Sequence, residues 1–206
     1  TGRHAVVGAA VALAVSLVIG AVLAASRLLE TAAQPLLVLI LVAPWVAYFT
    51  SLVAWLGAGD TPVYFLVALV TVPAFTFVAV SGMRGADAHA RELLASVEAS
   101  KFEVLWRLRL PAAVPGLFAA GRYVTGLALA AAYYGEGGNY DRAGLGAFGK
   151  EAAGQNNGPL LWASVFATVA LGVVGLGGLS LAERLLLRWH VSQRSGSASS
   201  TRRWLP

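Results

Sequence analysis

The chain has 206 residues, 58% of them hydrophobic and only 12% charged, with a formal net charge of +5 and no cysteine. Soluble domains carry about 25% charged residues, so this composition belongs in lipid, and the lack of thiols excludes a disulfide framework or a thiolate metal site. His4, His89 and His190 lie far apart in no metal-ligand pattern, and the basic residues cluster beside apolar runs, where positive-inside bias explains them without nucleic acid.

A spanning helix needs about 20 predominantly apolar residues, and five segments qualify, making this an all-α integral membrane protein. In chain order they are Ala5–Ala25, Pro35–Leu56 with Pro44 inside it, Val63–Gly82 with Pro73 inside it, Gly116–Tyr134 and Leu160–Leu187. Arg91, Lys101, Arg107 and Arg109 place the loop at 84–111 in the cytoplasm, as Arg184, Arg188, Arg194, Arg202 and Arg203 do the tail. The connections 57–61 and 136–158 are then outside and 26–34 inside. Thr1 falls on the outer face, which implies at least one further helix upstream. Residues 1–190 form one membrane domain, and the Ser/Arg-rich stretch 191–206 reads as a disordered basic tail.

The loop at 84–111 is the segment the bundle presents to water. Asp87 is placed to cap a helix running to about Ser100. Phe102, Leu105, Trp106 and Arg109 recur at helical spacing in a second short helix that Pro111 is expected to stop, and Pro115 falls in the first turn of span four. Such a pair of interfacial helices serves either as a surface-lying connector or as a docking point for a soluble partner.

The run from Glu92 to Pro115 resembles the "EAA" loop of binding-protein-dependent ABC importer permeases, most of all those of the nitrate, sulfonate, taurine and pyrimidine-precursor group. The likeness rests on Ala99-Ser100, on Trp106-Arg107-Leu108-Arg109-Leu110-Pro111-Ala112-Ala113-Val114-Pro115-Gly116, and on Gly121-Arg122, Gly135-Glu136 and Gly144-Leu145-Gly146. Gln34-Pro35-Leu36, Pro44, Gly57-Ala58-Gly59-Asp60 and Leu187-Arg188-Trp189-His190 also sit where the group has matching residues. The sequence departs from the pattern in placing Leu93 and Leu94 at the motif's two alanines and Glu98 at its glycine, which implies a more continuous helix or a different fit to the partner.

The resemblance implies a multi-pass bacterial plasma-membrane subunit with no cofactor, itself not an enzyme, working as a pair of copies with cytoplasmic ABC ATPases and an extracytoplasmic solute-binding protein. It also implies that the loop inserts into the ATPase through Glu92, Ala95, Ser96, Glu98, Ala99, Ser100, Lys101 and Glu103. Phe102, Leu105 and Trp106, with Pro111 and Pro115, would then anchor the loop to the bundle. The cargo would be a small anionic or heterocyclic solute such as a sulfonate, nitrate, taurine or a vitamin precursor. Arg122, Tyr133, Tyr134, Glu136, Trp45 and Tyr48 are candidates for the translocation pathway, against snorkelling, capping or packing roles for each. The substitutions at Leu93, Leu94 and Glu98 leave open a non-transporting assembly subunit. An ion-driven secondary transporter, the other alternative, calls for ionisable residues near the midplane.

Overall fold

The computed structural model describes residues 1–139 and 144–187. Asp141 and Arg142 of the outer connection, the ending Arg188-Trp189-His190 and the tail 191–206 lie outside the described residues. Among the described residues four helical stretches are long and apolar enough to cross a bilayer: α1 (Gly2–Ala25), α4 (Asp60–Arg84), the run Lys101–Gly138 that contains α7 (Leu110–Gly138), and α9 (Gly158–Leu186). The helices α2 (Arg27–Val42) and α3 (Trp45–Leu56) form a bent pair that raises the number of spans to five.

α1, α4 and α7 make the core, and small residues set how closely they approach. A Cβ on Gly8 would lie 2.6 Å from Val67, one on Gly20 2.8 Å from Ala79, and one on Gly82 2.6 Å from the Ala113 backbone. Helices in lipid lack a hydrophobic drive to associate and gain from this close backbone packing. Around these seams Leu66, Val67, Ala79, Val124 and Ala131 are fully buried. Other small residues serve no such seam, since a Cβ on Gly126, Gly177 or Gly178 meets nothing within 4 Å.

The second span differs from its expected form. Its helix begins at Arg27 rather than Pro35, because Ser26 caps it by accepting from the Leu29 N–H, so the expected loop 26–34 is helical. It then breaks at Pro44, where α3 leaves α2 at 93°. Ala43, the residue before the proline, is driven to an extended ψ of 133°, which ends α2. Pro73, by contrast, stays within α4, whose neighbours pack it in place.

The helix ends gather as the alternating topology requires. At the basic end Arg84 pairs with Glu30 at 2.7 Å and donates to the Leu23 carbonyl, while Arg109 donates to the Ala24 carbonyl. At the opposite end Arg3 pairs with Asp60, and the Asn139 amide bonds the Gly59 backbone. A helix not anticipated from the sequence, α8 (Leu145–Gly154), lies at that opposite end against α7 and α9.

Candidate functional site: a surface elbow and a buried polar knot

The loop folds into an elbow of two short helices, α5 (Ala88–Ser96) and α6 (Lys101–Val104). Asp87 caps α5, its carboxylate accepting from the His89 N–H at 2.9 Å. Ser100 caps α6 with a full capping box: its hydroxyl accepts from the Glu103 N–H at 3.2 Å, and Glu103 accepts from the Ser100 N–H at 3.0 Å. These bonds hold the Glu103 carboxyl below the usual glutamate range.

α5 stops at Ser96, short of the expected Ser100, and the turn that follows is a Schellman motif. The Ala99 N–H donates to the Leu94 carbonyl at 2.9 Å and the Glu98 N–H to the Ala95 carbonyl at 3.1 Å. Glu98 takes φ +54°, the left-handed conformation that favours glycine. The turn is therefore kept although the glycine is not, and the helix is no more continuous for the change. Glu98→Gly is expected to stabilise the elbow by roughly 0.5–1 kcal/mol, the relieved Cβ strain less the extra unfolded-state entropy of glycine. Hydrogen exchange at the Ala99 amide would read this as about two- to fivefold slowing.

Glu92, Ala95, Ser96, Glu98, Ser100 and Lys101 are exposed, and Ala99 and Glu103 half-buried, so the expected contact set lies on one accessible segment. No residue of α5 is buried. The expected apolar anchor is narrower than its spacing suggested. Leu105 packs beside Ala24, Met83 and Ala113, but Phe102 and Trp106 are 67% and 58% exposed and meet each other at a tilt, ring centres 6.0 Å apart. Leu93 and Val97 also face outward, at 69% and 72%.

Pro111 does not stop the second helix. A π-helical turn, Leu105–Arg109, carries the chain straight into α7. A proline has no N–H and clashes with the carbonyl four residues back, and one widened turn ahead of it relieves that clash. Pro115 likewise stays within α7. The elbow is thus continuous with a spanning helix, so a push on α6 is delivered to the bundle core.

The pathway candidates fall into three groups. Trp45 and Tyr134 meet edge to face at 5.4 Å, with Phe49 and Tyr48 beside them, and the Tyr134 hydroxyl donates to the Val46 carbonyl. Arg122 pairs with Glu183 of α9 at 2.5 Å, a partner the sequence reading did not consider. Tyr133 and Glu136 both face α8, Tyr133 bonding Ser164 at 2.8 Å.

Glu136 is 1% exposed and knots four elements together. Its carboxylate takes the Gly146 N–H at 3.1 Å, the Thr1 hydroxyl at 2.5 Å and His4 Nδ1 at 2.6 Å, while His4 Nε2 reaches Asp60 at 2.9 Å. The Gly144-Leu145-Gly146 run has its physical reason here. A Cβ on Gly144, which has φ +124°, would lie 2.1 Å from Glu136 Oε2, and one on Gly146 would lie 1.8 Å from the Tyr133 carbonyl oxygen. His4 was missed as a partner of Glu136, and Asp60 as the residue that His4 links to it. The available signal was that all three fall at the outer ends of their expected spans.

Apolar helices long enough to cross a bilayer, tied at one end by a polar knot and joined at the other to an exposed elbow, define a multi-pass membrane subunit. The chain matches the model of the binding-protein-dependent transport system inner membrane component over residues 16–189 and belongs to that family, the permease subunits of ABC importers. Relatives include the formylaminopyrimidine transport permease protein ThiX of Halalkalibacterium halodurans, 29% identical over 89% of this chain and 74% of that one. Another is the riboflavin transport system permease protein RibX of Chloroflexus aurantiacus, 36% identical over 81% of this chain and 62% of that one.

Proposed function

We propose that two copies of this chain enclose a translocation pathway for an uncharged nitrogen heterocycle, driven by cytoplasmic ATPases that grip the α5–α6 elbow. The observation that carries the reading is the elbow itself: doubly capped, exposed on its contact residues, and continuous through the π-helical turn with α7. A rigid lever is what a motion imposed from outside requires, because a frayed helix would absorb it. The intact Schellman turn at Glu98 speaks for a working coupling loop over a scaffold role.

A second copy is supported by α9, in which only Ser164 is buried, and by the open faces of Gly126, Gly177 and Gly178. An uncharged cargo is supported by Arg122. Among the described residues it is the only basic side chain well inside a span, and Glu183 already neutralises it. A sulfonate or nitrate pathway would have use for an unpaired cation there. The names of the two relatives, a formylaminopyrimidine and a riboflavin permease, point the same way.

Uptake assays test this in cells that carry the chain with its ATPase and solute-binding protein. Deleting the chain is expected to abolish accumulation of labelled formylaminopyrimidine or riboflavin and leave taurine and nitrate uptake intact. Loss of taurine or nitrate uptake instead would overturn the cargo assignment.

A further inference from the structure

We propose that the basic end of the bundle holds a binding site for a zwitterionic phospholipid whose headgroup carries a primary ammonium, set between α2 and α4. The site is a cavity of about 410 Å³. Its walls are two matched helix faces. Glu30, Gln34 and Leu37 follow one another down α2, and Arg84, Ser81 and Phe77 down α4, with Leu23 and Val80 closing the inner part. Residues three or four apart share a face, so each wall runs from charged at the helix end, through uncharged polar, to apolar one turn deeper. That is the polarity gradient of a phospholipid, from headgroup through glycerol to acyl chain. It also excludes a purely aqueous ligand, which would gain nothing from the apolar floor.

The charges select the headgroup. Arg84 contacts both Glu30 and the Leu23 carbonyl through Nη2 alone, and its side chain remains 27% exposed where it lines the cavity. The guanidinium edge left free by these contacts offers a phosphodiester oxygen a charge-assisted bond. Glu30 stands 2.7 Å from the same guanidinium and is over one-third exposed, so it is open to a cation arriving from the headgroup region. An ethanolamine headgroup carries phosphate and ammonium two carbons apart and matches the pair. A glycerol headgroup offers Glu30 no cation, and a choline headgroup has no N–H to donate.

The test uses the purified full chain, stripped of lipid in detergent and titrated with phosphatidylethanolamine, phosphatidylglycerol or phosphatidylcholine of identical acyl chains under native mass spectrometry. Phosphatidylethanolamine is expected to bind about tenfold more tightly than either of the others, the worth of one charge-assisted bond. Glu30→Gln should remove its advantage over phosphatidylglycerol. Arg84→Lys, which retains the charge but lacks the planar guanidinium's further donors, should weaken it about tenfold, and an unchanged unfolding temperature would show that the variant still folds. Glycerophosphoethanolamine, which has no acyl chains, should fail to displace the lipid. Equal binding of the three lipids, a preference that survives Glu30→Gln, or displacement by the soluble headgroup would overturn the proposal.

Discussion

Gly146→Val is expected to lower the unfolding temperature of the purified protein by roughly 6–12 °C. The first added carbon alone would lie 1.8 Å from the Tyr133 carbonyl oxygen. That oxygen is backbone within α7, so no rotamer change makes room and α8 has to lift away. Lifting it breaks the hydrogen bond from the Gly146 N–H to Glu136 and strips a buried carboxylate of one of its donors. Overpacking costs about 1–3 kcal/mol and an unsatisfied buried polar group about as much again, so a loss near 3 kcal/mol is a conservative sum. Gly154→Ala is the control, because a Cβ there meets nothing within 4 Å although it lies in the same helix. Differential scanning fluorimetry of the two variants beside the parent reads the difference directly.

Ala99→Trp is expected to reduce substrate-stimulated ATP hydrolysis by roughly 5–150-fold, the span of ordinary coupling free energies, with membrane insertion unchanged. Ala99 is half-buried at the bend of the elbow, and its N–H closes the turn onto Leu94. On the proposed function, an indole there either opens the turn or stands between the elbow and the ATPase, and both outcomes would disconnect the motor from α7. The spans do not depend on this residue, so the variant should still reach the membrane in normal amount. Hydrolysis by the assembled complex with and without cargo, set against the membrane level of the variant, separates the two effects.

Much of this arrangement was legible from residue patterns because lipid leaves few options. Long apolar runs must become helices whose backbone groups pair internally, so four of the five spans sit within a few residues of where hydropathy puts them. The Asp87 cap was readable for a related reason: a short acceptor before a helical pattern has one common use. The pair Ser100 and Glu103 spells the capping box just as plainly, although it was not read that way.

The rest depends on contacts between distant segments. Pro44 signals a break, but its 93° size is set by how α3 packs on α4 and α7. Glu98 is the local exception: its left-handed turn is closed by hydrogen bonds to the Leu94 and Ala95 carbonyls at the end of α5, and the family's glycine at that position was its sign. Phe102 and Trp106 carry the spacing of a buried stripe, yet the bundle side is filled by Leu105 and Leu110. α8 is short and rich in glycine and alanine, and only the docking of Gly146 and Gly149 against Tyr133 shows why those residues are small. Two partners of Glu136, Thr1 and His4, come from the far end of the chain, beyond the reach of any local pattern.

The lever role proposed for the elbow requires it to face the cytoplasm, and this can be measured because the chain has no cysteine of its own. Ser96→Cys and Glu151→Cys each introduce a single thiol, one on the elbow and one on α8. With a membrane-impermeant maleimide, Ser96→Cys is predicted to be labelled in inside-out vesicles, to be protected when the ATPase is bound, and to stay unlabelled in intact cells whose outer face is accessible. Glu151→Cys should show the reverse sidedness. Labelling of Ser96→Cys from the outer face would contradict the account.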